Sequence, residues 1–484
     1  MEHTEEFSLT QNAGIVGISK LVNILGLLAA SMILTRLLSR EEYGNYEQVW
    51  LVYNSFLPLA GYGLSSSVYF FSAREDKKFV YSSAVAASSI IGVLAGIILA
   101  VFAPLIAQWF GAPLLAGYIR IFSVYTVLAS PSLLFESVFV TERKVGLLLV
   151  GNVVLAILFA GSILMAALIF HSLTIVFVCV AAVGGMKSLY LILYILRARK
   201  FAGARLSPVM KAQLLYALPI FVSTIAGTIS KQVDRYLVSL LLTPEKFAVY
   251  AIGSKEVPMI AVITGSASAI LFPVFSELGT NEGRGRFLEI WRNSISKTGF
   301  FLLPLMVFLL YAAGDFMGFF FGSKYIVSAG IFRIFLLLLP LRLAFYSQAL
   351  FALGRQKLYM YTSVVEMFVS GAASYFFLRL YGLEGAAVGK VLVTYIEVFV
   401  LVGVLTFLLK SNIIEMFPWR KLFRLLLISA AALVPLFFVR DYFGNVYFRF
   451  IVECMVFAVV FGGIALLTKS VRIVNFRKMQ FVVK

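Results

Sequence analysis

Charge is scarce in this chain: 13% of its 484 residues are charged, while 61% are hydrophobic. That balance excludes a soluble globular protein of this length, which has no use for so much apolar surface. Cysteine is scarcer still. Cys179 and Cys454 fall inside distant apolar segments and outside any metal-ligand spacing, so they read as buried fillers. The first ten residues are acidic and lack the basic region and small-residue cleavage site of a secretory signal, so the first apolar helix is expected to be retained. Stretches such as 81–111 and 145–170 show no run of alternating polar residues, which argues against a porin-type barrel.

What the chain does have is apolar stretches of eighteen or more residues, recurring from one end to the other. Each is long enough to cross a hydrocarbon core of about 30 Å as a helix. The spans predicted are 11–36, 47–72, 80–109, 117–140, 146–170 and 172–196, then 212–242, 247–275, 298–320, 326–352, 358–380 and 385–409, and finally 422–440 and 447–468. The fold class is therefore an all-α membrane protein with about fourteen transmembrane helices.

The formal charge of +18 raises the question of nucleic acid, and the location of the bases answers it. With the N-terminus in the cytoplasm, Arg74, Lys77, Arg143, Lys144, Arg197, Arg284, Arg355, Lys357, Lys410, Arg420 and the basic tail all fall inside. By these boundaries roughly 25 of the 41 basic residues lie there, against about 7 in the opposite loops. The charge orients the chain in a membrane, with both termini expected to be cytoplasmic, and favours anionic lipid head groups rather than nucleic acid.

The segment Leu37-Leu38-Ser39-Arg40-Glu41-Glu42-Tyr43-Gly44-Asn45-Tyr46 lines up with Leu241-Leu242-Thr243-Pro244-Glu245-Lys246-Phe247-Ala248-Val249-Tyr250. Phe71-Ser72 meets Phe275-Ser276 at the same offset, and Glu142-Arg143-Lys144 echoes Arg355-Gln356-Lys357 with a small shift. Three echoes in order predict two pseudo-symmetric six-helix lobes, a parallel repeat around a central cavity, followed by two extra helices. The expected division is 1–204, 205–410 and 411–484, with the basic connection 197–211 as the linker.

An ionisable residue at membrane depth costs about 2.5–3.5 kcal/mol on insertion scales, so each should face a cavity or a partner. The first predicted helix carries Lys20 near mid-bilayer, with Asn23 near the same side and no carboxylate beside it. Lys20 reads either as a ligand for an anion or as one half of an interhelical salt bridge. Lys231, Asp234 and Arg235 stand at i, i+3 and i+4, on one helix face. With Asp234 neutralising one neighbour, the trio leaves a net positive patch able to hold a phosphate; an ion-pair lock between helices is the alternative. Lys255 and Glu256 point about 100° apart. Arg342, near mid-depth, is the second candidate anion ligand. Lys187, Arg333 and Lys390 lie nearer helix ends and are expected to snorkel. Glu136, Glu256, Glu366, Glu397 and Glu453 are either counter-ions or carriers of a coupling ion, Glu366 near mid-depth being the best single candidate for a carrier. Pro131, Pro219, Pro258, Pro304 and Pro340 fall inside spans and permit bending. No metal or cofactor site is expected.

Several fragments in order carry a family resemblance: Thr35-Arg36-Leu37-Leu38-Ser39-Arg40-Glu41-Glu42-Tyr43-Gly44, Asp234-Arg235-Tyr236, Leu271-Phe272-Pro273-Val274-Phe275-Ser276, Phe321-Gly322-Ser323-Lys324-Tyr325, Ala352-Leu353-Gly354-Arg355 and Tyr381-Gly382-Leu383-Glu384-Gly385-Ala386-Ala387. Over nearly its whole length the chain resembles the oligosaccharide flippases of the polysaccharide transporter family, in the superfamily that also holds multidrug exporters and lipid II flippases. The resemblance implies an alternating-access transporter, not an enzyme, that moves a polyprenyl-diphosphate-linked oligosaccharide outward. It would work among membrane lipids and beside polysaccharide polymerase or assembly proteins. The alternatives are a multidrug or cation exporter, whose site should be dominated by carboxylates, and a membrane glycosyltransferase or polymerase, which needs a longer outer loop than any here.

Overall fold

The computed structural model describes residues 21–22, 24–170, 172–198, 208–278, 284–468 and 470. Lys20, Asn23 and the basic tail lie outside them. Among the described residues all regular structure is helical, as a chain that must satisfy its backbone groups inside lipid requires.

The helices are α1 (Ile24–Leu37), α2 (Arg40–Gly61), α3 (Leu64–Phe71), α4 (Lys77–Trp109), α5 (Leu115–Ala129), α6 (Phe135–Thr141), α7 (Val145–Met165), α8 (Leu173–Arg197) and α9 (Pro208–Leu241). Next come α10 (Pro244–Gly253), α11 (Pro258–Leu278), α12 (Arg284–Phe321), α13 (Ala329–Leu336), α14 (Tyr346–Ala352), α15 (Gln356–Leu408), the short α16 (Ile413–Met416), α17 (Trp419–Val439) and α18 (Val446–Leu467). Eight described helices are long and apolar enough to cross a membrane, or up to ten if each bent pair is one span. The expected fourteen is not reached by that measure, for three physical reasons. Only fourteen-odd residues of the first span are described as helix, α2 and α9 interrupt their apolar runs with Glu47, Gln48, Lys231, Asp234 and Arg235, and α15 holds two spans.

The chain forms two compact units, Met1–Ala251 and Ile252–Lys484. In the first, a core of Leu64, Val68, Tyr81, Phe135, Phe139 and Leu191 joins α3, α4, α6 and α8. Beside it, Trp50, Tyr53, Phe122 and Tyr125 pack ring on ring between α2 and α5, with centroids 4.8 to 6.2 Å apart, a geometry that adds to simple area burial. Helix α9 packs on α2, α3 and α4 of this unit. Its Gln213 side chain accepts from Ser83 Oγ at 2.8 Å and donates to the Val80 carbonyl at 3.2 Å.

In the second unit α12, with 38 residues, is the central element, packed by α17 and α18. Asp315 of α12 is 2% exposed and accepts from Arg449 Nε at 2.9 Å, while Arg440 approaches to 3.9 Å. Ionic contacts thus tie the last two helices to the unit. Helix α15 is a hairpin. Gly382 takes φ 66°, ψ −145°, a left-handed conformation that glycine adopts at no steric cost, and the chain folds back there. A side chain at Gly389 would fall 2.8 Å from the Ala373 carbonyl and the Ser374 Cα, so the halves meet backbone to backbone. Gly385 and Gly389 repeat at four, the small-residue spacing that lets membrane helices touch closely.

Candidate functional site

Each unit contains a span broken by a proline-led turn. Between α5 and α6 the residues Ser130–Leu134 form one tight 3₁₀ turn, with Pro131 near its start. Between α13 and α14 the residues Leu339–Leu343 form another, with Pro340 in the same place. Proline has no N–H to give, so the α-helical ladder fails there and the freed backbone groups need other partners. Serines supply them in the first unit. Ser88 donates to the Ser130 carbonyl at 2.8 Å, Ser65 to the Leu133 carbonyl at 2.8 Å, and the Ser132 N–H reaches Ser188 Oγ at 3.1 Å. Pro258 opens α11 after a second break, and the axis from α10 to α11 bends by 51°, against 49° at Pro340. Pro219 and Pro304 stay inside continuous helices.

Beside the first turn is a half-enclosed cavity of about 450 Å³ within the first unit. Residues from α1, α2, α5, the turn, α6, α7 and α8 wall it. Trp50, Tyr53 and Tyr125 give it an aromatic side; Asn54, Ser132, Glu136, Asn152 and Lys187 give it polar groups. The Lys187 ammonium lies 5.0 Å from the centre of the Phe135 ring and feels the Glu136 charge. Polar and charged groups at membrane depth are costly unless something polar faces them.

In the second unit the two breaks face each other. Glu256, in the link between α10 and α11, forms an ion pair with Arg342 of the Leu339–Leu343 turn. Both side chains remain partly exposed. Broken membrane helices with charged groups at the break are where transporters place ligand sites.

The model of the family described as "Polysaccharide biosynthesis protein" matches residues 33–330, more than half of the chain. The chain belongs to that family. Its fold is similar to that of "Lipid II flippase MurJ, inward closed conformation", with TM-score 0.73 at 17% identity over 94% of this chain and 98% of the other. It is also similar to an inward-facing multidrug resistance MATE family transporter of the MOP superfamily, with TM-score 0.64 at 16% identity over 81% and 96%. No curated protein sequence matches. The membrane-transporter fold and the apolar helices together make this family member a multi-pass membrane protein.

The structure places the expected site residues of this family member in three groups. In the first unit Arg235 Nη2 pairs with Glu47 at 3.1 Å, and Asp234, 2% exposed, accepts from Tyr250 at 2.6 Å. Asp234 therefore holds a tyrosine, not its basic neighbour, which corrects the expectation drawn from their spacing. Successive helix residues point about 100° apart, and Arg235 reaches α2 while Asp234 reaches α10. Tyr43 also donates to Glu47, at 2.7 Å. Lys231 is exposed one turn ahead. Glu136 belongs to the cavity. In the second unit Arg342 and Glu256 pair, with Lys255 partly exposed beside Glu256. Third, Lys390 Nζ meets Glu366 at 2.5 Å across the α15 hairpin, with Glu397 close enough to feel both charges. Lys390 is 9% exposed and Lys187 lines a cavity, so neither snorkels as expected; each has a local partner instead. Arg333 donates its Nε to the Leu310 carbonyl at 3.1 Å. Lys20 and Asn23 lie outside the described residues. Glu47 was missed because it stands at the first residue of the predicted span 47–72; the same test of a charge inside an apolar run would have found it.

Proposed function

We propose that this protein flips a polyprenyl-diphosphate-linked oligosaccharide, an O-antigen, capsule or exopolysaccharide unit, from the cytoplasmic to the outer leaflet of a bacterial inner membrane. The reading is carried by one observation: a polysaccharide-biosynthesis family match on a chain that has the fold of a lipid II flippase. Lobes 1–204 and 205–410 rock about a central site and expose it alternately, while 411–484 adds a groove for the prenyl tail. Lys20, Lys231, Arg235, Lys255 and Arg342 hold the diphosphate, with Asn23 beside them. Arg235 and Arg342 each already serve a carboxylate, but a guanidinium carries five N–H donors, so one group can bridge Glu47 or Glu256 and a phosphate. An exporter of cations should have a site dominated by carboxylates rather than one in which bases match them. Here Glu47, Glu256 and Glu366 each bind one.

An inside-negative potential favours outward movement of negative charge by about 2.3 kcal/mol per elementary charge per 100 mV. No covalent step is involved, and a polymerase acts downstream on the outer face. The test is the purified chain in liposomes with a labelled lipid-linked oligosaccharide. Translocation at unchanged substrate mass is expected, reduced at least about tenfold per folded molecule in Arg235→Ala. A lengthened or cleaved glycan, or no translocation by the wild type, overturns the reading.

A further inference from the structure

The cavity within the first unit has a lining that does not suit a phosphate or a prenyl chain. Its one ammonium, Lys187, shares the cavity with one carboxylate, Glu136, so the lining presents no net charge to attract an anion. Its amides and its two charged groups make it too polar for a hydrocarbon tail. Asn54 and Asn152 each offer an amide donor and an acceptor, and the carboxylate and the ammonium add one of each kind. Trp50, Tyr53 and Tyr125 supply flat apolar faces on the same cavity. About 450 Å³ lies within the range of pockets that hold small ligands.

A ligand that matches all of this is electrically neutral, carries hydroxyls that both give and accept, and has one flat C–H face. A pyranose ring has those properties. The geometry points to this cavity as a sugar-binding pocket: one neutral hexose or N-acetylhexosamine of the cargo docks inside the first unit, apart from the bases that take the diphosphate. The inference rests on the flippase reading and deepens it, since it divides the cargo between two places. It also assigns a role to the Ser130–Leu134 turn. The turn brings Ser132 to the wall, and its own carbonyls at Ser130 and Leu133 are occupied by Ser88 and Ser65.

The test uses the full chain in nanodiscs and two probes: the lipid-linked glycan pool extracted from the cells that make the protein, and bare undecaprenyl diphosphate. Native mass spectrometry reads which species is bound. Asn54→Leu and Lys187→Met are each expected to weaken glycolipid binding at least about tenfold while leaving the bare diphosphate within twofold. Equal loss for both probes, or no loss for either, overturns the pocket. Should neither variant fold, Trp50 emission in the wild type decides: glycolipid must shift it relative to the bare lipid, with the shift lost in Trp50→Phe. No shift overturns the pocket as well. A chain that shows the sugar-dependent split but does not translocate in liposomes fails the flippase reading and keeps the pocket; translocation without the split does the reverse.

Discussion

Single residues at membrane depth are here mostly halves of pairs, and the pairs decide what a substitution does. Glu366 and Lys390 are both nearly buried and 2.5 Å apart. Removing one partner strands the other charge in an apolar surround, at about 3–5 kcal/mol, whereas replacing both by apolar residues of similar size is near neutral. Glu366→Gln is therefore expected to lower the thermal midpoint in detergent well below that of the double variant Glu366→Leu/Lys390→Met. If that double variant still transports lipid-linked glycan, Glu366 is a counter-ion and carries no coupling ion. The identity of these residues was legible in the sequence, because any charge inside an apolar run stands out. Their partners were not. Spacing along one helix put Asp234 with Arg235, but contact is made between helices, and the pairing of Arg235 with Glu47 spans 188 positions.

Whole elements were easier to read than their interruptions. The long apolar runs gave α4, α7, α8, α17 and α18 to within a few residues, since length and hydropathy alone set them, whereas α12 begins at Arg284, well before the predicted 298, because its first turns are polar. The prolines were visible too. Which of them break a helix was not, for Pro219 and Pro304 sit in continuous helices whereas Pro131 and Pro340 mark tight turns. At Pro131 the released backbone groups find serines from other segments, Ser65, Ser88 and Ser188, which only the fold brings there. The α15 hairpin offers a direct test. Gly389→Leu forces side-chain atoms into the Ala373 backbone, and overpacking of this kind costs about 1–3 kcal/mol. Gly403→Leu, on the same helix but with open space around it, should cost little. Thermal melts and size-exclusion profiles of the two variants should differ accordingly; equal stability would mean that the hairpin halves do not touch at Gly389.

For the molecule as a whole, the internal echoes predict that equivalent loops of the two copies share one side of the membrane. In a Cys179→Ser/Cys454→Ser background, single cysteines at Arg143 and Arg355 should resist an impermeant maleimide added outside intact cells. Cysteines at Leu114 and Tyr442, both well exposed, should react with it. Labelling of Arg143→Cys but not Arg355→Cys from outside would rule out a parallel repeat. That expectation rests on short helix-end motifs, which a sequence shows directly. The sequence could not reveal the cavity, whose wall draws on seven separate segments that only the fold brings together.

The one-residue turn at Gly382 bears on how the chain is made. A translocation channel handling 356–408 meets two apolar helices with no separate loop to carry across, so the two are expected to leave it for lipid as one unit. Until the second half emerges from the ribosome, the Glu366 carboxylate has no ammonium to face. Membrane integration of the first half is thereby expected to wait for Lys390, twenty-four residues later, and nascent chains cut short between them should remain extractable where longer ones do not.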